Sequence, residues 1–442
     1  MKGSVTVFLA LSLSLLTGFV LLLTEGVIKN AEKNRLEGVM DLGMNSVLGE
    51  FHMGLHERYG LLYIDLSYDA GNPSLQKLED RLDFFVRQNT VTPKEVKVRQ
   101  VASAAFADGN SMKFQAVCYM QDSNHSELSC GESWHEIKEL GGCNAMAEWS
   151  ELMNQISNME LPKIQNEAGE WVEIPLNNPA DGVFGLTGHD MLYLAGVDGS
   201  GIGVGVIQAE SYASRRVLQN IEYGEEKVAD TELFIAYLLE KMGNYQNIRE
   251  NSFLQYQLEY IAMGKYSDYE NIQAMGDMLL QWCFTKNVNY AMGNNALWSE
   301  ALEMAEGLKA VALKESFREP VAQSMIYALA YLESLAEIQC LFDGGNINIT
   351  KSGFYTQWEQ VYAADILQIS SAVGGLKYED FLIAAIMELP ERSRNLRSMD
   401  IMEMDIRMIS QNPEFAMDFC VERVEAEIIH KEYDLRRTYG YY

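Results

Sequence analysis

The sequence predicts an α+β fold: a long N-terminal transmembrane helix that continues past the membrane, then a small sheet with a large, predominantly helical portion. Three observations predict it. Val5–Leu23 carries no charge, and at about 1.5 Å per residue it spans about 30 Å, the thickness of a hydrocarbon core. Leu36, Met40, Met44, Val47, Phe51 and Leu55 then recur at steps of three and four, which places them on one helix face. From Thr231 to Ser410 the apolar spacing is again mostly helical.

Each element has its own signal. The opening apolar run is longer than that of most secretory signals and ends in TEGVIKN without a small-x-small site, so it reads as retained. No proline precedes Pro73, so one helix is expected from the membrane to about His56, although Gly38, Gly43, Gly49 and Gly54 each weaken it by about 1 kcal/mol relative to alanine. YGLLYIDL (Tyr59–Leu66) reads as a strand closed by AGNPS, and Leu75–Arg87 as a helix opened by Asn72, Pro73 and Ser74. Glu95–Phe106 alternates in its first half like a strand, and Met112–Met120 reads as a helix. FLQYQLEYIAMG is expected to be a strand, because Tyr256, Leu258 and Tyr260 alternate with polar residues. Gly264 then gives a turn, and Ser267–Asp268 a cap for the next helix. A helix through Ala330–Ile338 is stopped by DGGN, and Gly374–Gly375 precedes a helix containing Phe381, Leu382, Ala385 and Ile386. Val421–His430 fits either a strand or a helix. The expected organisation is a leader and transmembrane segment (1–25), a helix with the first part of the α+β domain (26–120), an irregular, variable insertion (121–225) and a helical portion with completing C-terminal strands (226–442).

Composition limits the partners. A net charge of −29 repels phosphate backbones, so nucleic acid is excluded as an expected partner. The lipid bilayer, through Val5–Leu23, is the expected one. Lys2 stands before the apolar run, and Lys29, Lys33 and Arg35 after it. A bare count of positive charges would leave the large domain in the cytoplasm. The interspersed Glu25, Glu32 and Glu37, and the common use of such segments for export, favour a cytoplasmic N-terminus with the domain outside.

Signals for chemistry are sparse. Cys118, His125, Cys130, His135 and Cys143 cluster in sequence, but no cysteine pair has the two-to-four-residue separation of a zinc knuckle. A disulfide among Cys118, Cys130 and Cys143, with the pairing open, suits an exported domain better. Cys283, Cys340 and Cys420 sit in apolar surroundings and read as buried thiols. GVDGSGIGVGVI (Gly196–Ile207) matches neither a phosphate loop nor a dinucleotide fingerprint and reads as a tight turn into a strand. G-x-S-x-G and H-E-x-x-H do not occur. Asp181, Asp198 and Asp343 lie beside glycines as calcium candidates without an EF-hand loop. The tyrosines, among them Tyr59, Tyr63, Tyr68, Tyr439, Tyr441 and Tyr442, suit adhesion or sheet packing. Neither a catalytic residue nor a cofactor is implied.

GSVTV (Gly3–Val7) resembles the start of a prepilin of the tight-adherence (Flp-type) class of type IV pili. The resemblance implies a basic leader ending at Gly3, cleavage by a prepilin peptidase, Ser4 as the new N-terminus, and a pilin-like helix that docks on other pilin-like subunits and pilus assembly proteins. Members of that class carry glutamate five residues after the cut, where this chain has Phe8. In addition, QLEYIAMGKYSDYENI, AYLESLAEIQCLFDGGNINITKSG and GGLKYEDFLIAAIMELPERSRNLRSMDIMEMDIR resemble a family of membrane-anchored proteins encoded beside tight-adherence pilus genes in Gram-positive anaerobes. That family implies export and pilus association and supplies no active-site residues. The expected role is a minor pilin-like component, with an uncleaved assembly scaffold or an anchored extracellular enzyme or carbohydrate-binding protein as alternatives.

Overall fold

A helix whose first half has no polar face and whose second half has an apolar stripe can be packed only along its second half. In the computed structural model, which describes residues 2–68, 71–89, 91–122, 137–138, 144–203, 205–207, 211–219 and 227–441, this is the arrangement of α1 (Lys2–Leu48). Val5, Phe8, Leu15 and Leu22 are exposed, whereas Leu36, Met40, Met44 and Val47 are buried. The fold is α+β and divides into two units, one formed by residues 1–119, 212–229 and 402–442, the other by residues 120–211 and 230–401.

In the first unit the stripe of α1 and the apolar face of α3 (Leu75–Gln88) share a core with an antiparallel sheet. The sheet comprises β1 (Ile64–Asp65), β2 (Glu95–Ser103), β3 (Cys420–His430) and β4 (Tyr433–Gly440), and β3 pairs with each of the other three. Val98 faces Ala426 and Val101 faces Val424, so β2 spends one more residue than β3 between those pairs. This bulge keeps both valines on the core side, and it explains why simple alternation fails in the second half of β2. Val421–His430, compatible with either conformation in sequence, is strand.

The expected helix to His56 is corrected: α1 ends at Leu48 and α2 begins at Met53. His52 is extended, its N–H donates to the Tyr63 carbonyl at 2.7 Å, and its Nδ1 accepts from Leu55 N at 3.1 Å. A residue held that way closes one helix and caps the next. Ser74 caps α3, accepting from Gln76 N. α4 (Phe106–Asp122) starts earlier than the Met112 expected, across a kink at Ala107–Gly109.

The second unit is helical, built on α5 (Ala145–Ser157), α6 (Gln257–Met263), α7 (Asp268–Met292), α8 (Asn295–Glu306), α9 (Arg318–Phe342), α10 (Trp358–Ala363) and α11 (Tyr378–Met387). α12 (Glu391–Ser410) gives its first half to this unit and its second half to the other. α9 is long and apolar enough to cross a membrane but is almost wholly buried, with α7 and α8 packed on it. Around Trp149 the rings of Phe184, Phe284 and Tyr331 lie 5.0–5.8 Å away, centroid to centroid.

The strand expected at FLQYQLEYIAMG is also corrected, because Gln257–Met263 is helix. Its alternating polar residues do not face water: Gln257 and Glu259 are buried and accept from Gly243 N and Tyr245 N. Gly264 ends α6 in the left-handed conformation, and Arg397 donates to the Ile261 and Ala262 carbonyls at 2.8 and 2.9 Å. Gly199–Gly201 forms the tight turn expected in the glycine-rich stretch, and among the described residues the expected strand after it is a single bridge, Val206 to Ser267.

Candidate functional site

Two features could carry function, one in each unit. The first is α1. Exposed apolar side chains continue from Val5 to Ile28, and burial starts at Leu36. Between them β4 and its turn grip the helix: Lys431 pairs with Glu32 at 2.7 Å, Arg437 with Glu37 at 3.4 Å, and the Tyr433 hydroxyl donates to the Lys29 carbonyl at 3.0 Å. Higher up, Tyr439 bonds Asp41, and Tyr441 donates to the Leu48 carbonyl at 2.6 Å. Burial, with the Asp41 carboxylate beside it, pushes the Tyr439 hydroxyl well above its ordinary value. These tyrosines therefore pack the sheet edge to the helix, the packing alternative of the two read from the sequence; Tyr442 lies outside the described residues.

Gly3 and Ser4 lie in the first turn of α1, and Phe8 is exposed on its surface. Cys118 lies half-buried on α4, whereas Cys130 and Cys143, like His125 and His135, lie outside the described residues. Cys283, Cys340 and Cys420 are buried thiols, and desolvation pushes Cys283 up to about 12. Asp181 is in the first turn of Ala180–Leu186, Asp198 caps Gly199–Gly201 by accepting from Ser200 N at 2.9 Å, and Asp343 ends α9. Among the described residues no group of three or more His, Cys, Asp or Glu side chains is placed to hold a metal ion.

The second feature is a buried charge cluster in the helical unit. Glu333 and Glu337 project from α9, Lys286 from α7, and Lys351 from the loop after Asn346–Ile347. Lys351 Nζ donates to Glu333 at 2.6 Å and pairs with Glu337 at 2.8 Å. Lys286 Nζ donates to Glu337 at 2.7 Å and to the Asn348 carbonyl at 3.2 Å. Glu333 also accepts from Thr356 N and Oγ1 at 2.9 and 2.8 Å, which ties the loop to the helix. Burial works against the Lys351 charge, yet Glu337 and Glu333 together hold its pKa above the ordinary value. Two cations and two anions leave the cluster neutral. Nothing in the sequence joins residues so far apart, but two glutamates one turn apart on an apolar helix are a legible sign of buried partners.

Two clefts open beside this cluster. One, of about 190 Å³, is lined by Asn346, Asn348, Ser352, Tyr355 and Ser370, with Glu337 beneath. The other, of about 240 Å³, is lined by Tyr290, Asn294, Glu300, Gln357 and Trp358, and both share Gly353 and Phe354. Trp358 Nε1 donates to Glu300 at 2.8 Å, and the Tyr290 and Phe354 rings lie 5.2 Å apart.

Fold and features define a class: an α+β protein with a long, half-exposed apolar stem and a helical unit built around a neutral buried ion cluster. The chain belongs to the family of unknown function DUF5702, whose model matches residues 169–431. The matched region contains the whole ion cluster, both clefts and β3, and leaves α1 outside. No curated protein and no solved structure matches the chain.

Proposed function

We propose that this protein is a membrane-anchored, pilin-like structural component of a tight-adherence type IV pilus system, non-catalytic and positioned at the filament tip. The observation that carries the reading is the change of character along α1, free and apolar to Ile28 and then packed on a sheet from Leu36 onward. A helix of 47 residues, about 70 Å long, is enough to cross a bilayer and still reach the sheet. An apolar segment left bare in water would be a severe liability, and lipid or neighbouring apolar helices remove it. The N-terminus then lies in the cytoplasm and both units outside, where −29 of net charge favours solubility.

Phe8 is the residue that supports a tip position. In a filament body the glutamate of this class neutralises the terminal amine of a neighbour inside the apolar core, and an uncompensated charge there is costly. Phe8 offers no carboxylate, so the subunit suits a position above which no other must dock. N-terminal sequencing of protein from sheared surface material and from membranes tests the proposal. Ser4 as the first residue of the sheared form is the expected result. A mature chain beginning at Met1 or beyond Leu23 would sink the pilin reading, and an intact Lys2–Gly3 bond with retention in membranes would favour an assembly scaffold.

A further inference from the structure

From the two clefts of the helical unit we infer a site for a neutral glycan, a property beyond the stem-and-filament role and independent of whether the leader is cut. The cluster beneath the clefts sets the charge of the ligand. Lys286 and Lys351 are both engaged by Glu333 and Glu337, so no bare cation waits for a phosphate or carboxylate, and Glu337 is fully occupied against an ammonium. What the first cleft offers is neutral. The side chains of Asn346, Asn348, Thr350, Ser352 and Ser370 form no hydrogen bond within the described residues, although they line one small cleft.

Amides and hydroxyls both donate and accept, as sugar hydroxyls do. The second half of sugar chemistry is the apolar face of the ring, which stacks on aromatic side chains. Tyr355 is 49% exposed at the first cleft, Phe354 forms the shared wall, and Tyr290 and Trp358 line the second cleft. Each cleft is smaller than the roughly 300–1,000 Å³ of a drug-sized pocket, so each takes about one ring, and Gly353–Phe354 separates two such subsites. The lining loop is held rigidly, since Glu333 accepts from Tyr355 N and Thr356 N. A preformed site loses less entropy on binding than a mobile one.

The test uses the full chain, solubilised in an amine-oxide detergent so that no sugar headgroup competes. Chitotetraose, maltotetraose, cellotetraose and, as an acidic control, tetragalacturonic acid are titrated by calorimetry. Saturable binding of at least one neutral tetrasaccharide is expected, with little for the acidic one; the N-acetylated and unacetylated probes separate cell-wall-type from storage-type glycans. Tyr355→Ala and Asn348→Ala should each weaken binding about tenfold or more, while Tyr193→Ala, an exposed tyrosine outside both clefts, leaves it unchanged. Asn348→Ala removes an exposed side chain, and Tyr355→Ala also removes a ring 5.8 Å from the Lys351 ammonium, so thermal melting compares the folding of both variants with the parent. No saturable binding to any neutral probe, preference for the acidic one, or undiminished binding by both cleft variants overturns the inference. Failure here leaves the N-terminal sequencing result untouched.

Discussion

Glu259 is a carboxyl whose perturbation has a definite consequence. Buried completely in α6, it accepts from Tyr245 N at 2.8 Å and from the Tyr378 hydroxyl at 3.0 Å, while its Oε2 has no hydrogen-bond partner among the described residues. Desolvation raises its pKa from 4.5 to about 7, against the opposing effect of those hydrogen bonds. Between these values the folded state holds a proton that the unfolded state has released, so stability falls as pH rises from 4.5 towards 7 and stays low above it. Glu259→Gln should therefore stabilise the protein by about 3 kcal/mol at pH 8, with the gain vanishing towards pH 4.5. Thermal melts across that range check it, and a gain independent of pH would refute it. The ion cluster predicts the opposite sign. Lys351→Ala leaves Glu333 and Glu337 facing each other without the ammonium between them, and should cost about 3–5 kcal/mol in urea unfolding. Glu333 and Glu337 stand one turn apart on an apolar helix, but Lys351 arrives from a loop and Lys286 from another helix, and no local pattern encodes that meeting.

At the scale of elements, capping chemistry was the most legible part of the chain. Ser74, Ser267 and Gly264 occupy the cap positions their residue types suggest. Short-range alternation was less informative where the surroundings are wholly buried: α6 alternates polar and apolar residues, yet its polar side chains cap backbone N–H groups inside the unit. Gly264 illustrates how tightly such an end is built. A Cβ there would sit 2.5 Å from the Arg397 guanidinium carbon, at a φ of +66° that disfavours any side chain. Gly264→Ala should displace Arg397 from the α6 carbonyls and lower stability by about 2 kcal/mol, measurable as a reduced urea midpoint. The bulge in β2 is likewise not encoded locally. Its phase is set by β3, and β3 lies at the far end of the chain.

The family match takes in residues 169–211 and 230–401 of the helical unit, and residues 120–168 and the stem fall outside it, so the matched region and the apolar stem are separable in sequence. A chain lacking residues 2–24 keeps the buried stripe, the sheet and the helical unit. It is expected to appear in the soluble fraction after cell breakage, with the parent remaining in carbonate-washed membranes. Recovery of both in the soluble fraction would contradict anchoring. The α+β class and the stem were readable from apolar runs alone, because solvent exposure is a property of single segments. The clefts were not, since they depend on loops whose course is fixed by contacts to Glu333.

The grip of β4 on α1 also imposes an order on synthesis. The stem is made first and can enter lipid at once, but the strands that cover its Leu36–Val47 stripe leave the ribosome hundreds of residues later. Until then α3 can cover one side of the stripe, and a chain stopped early lacks the sheet side of that core. The core around the stem is thus closed in two stages: α3, made soon after the stem, packs one side of the stripe, and the hairpin from the far end of the chain packs the other.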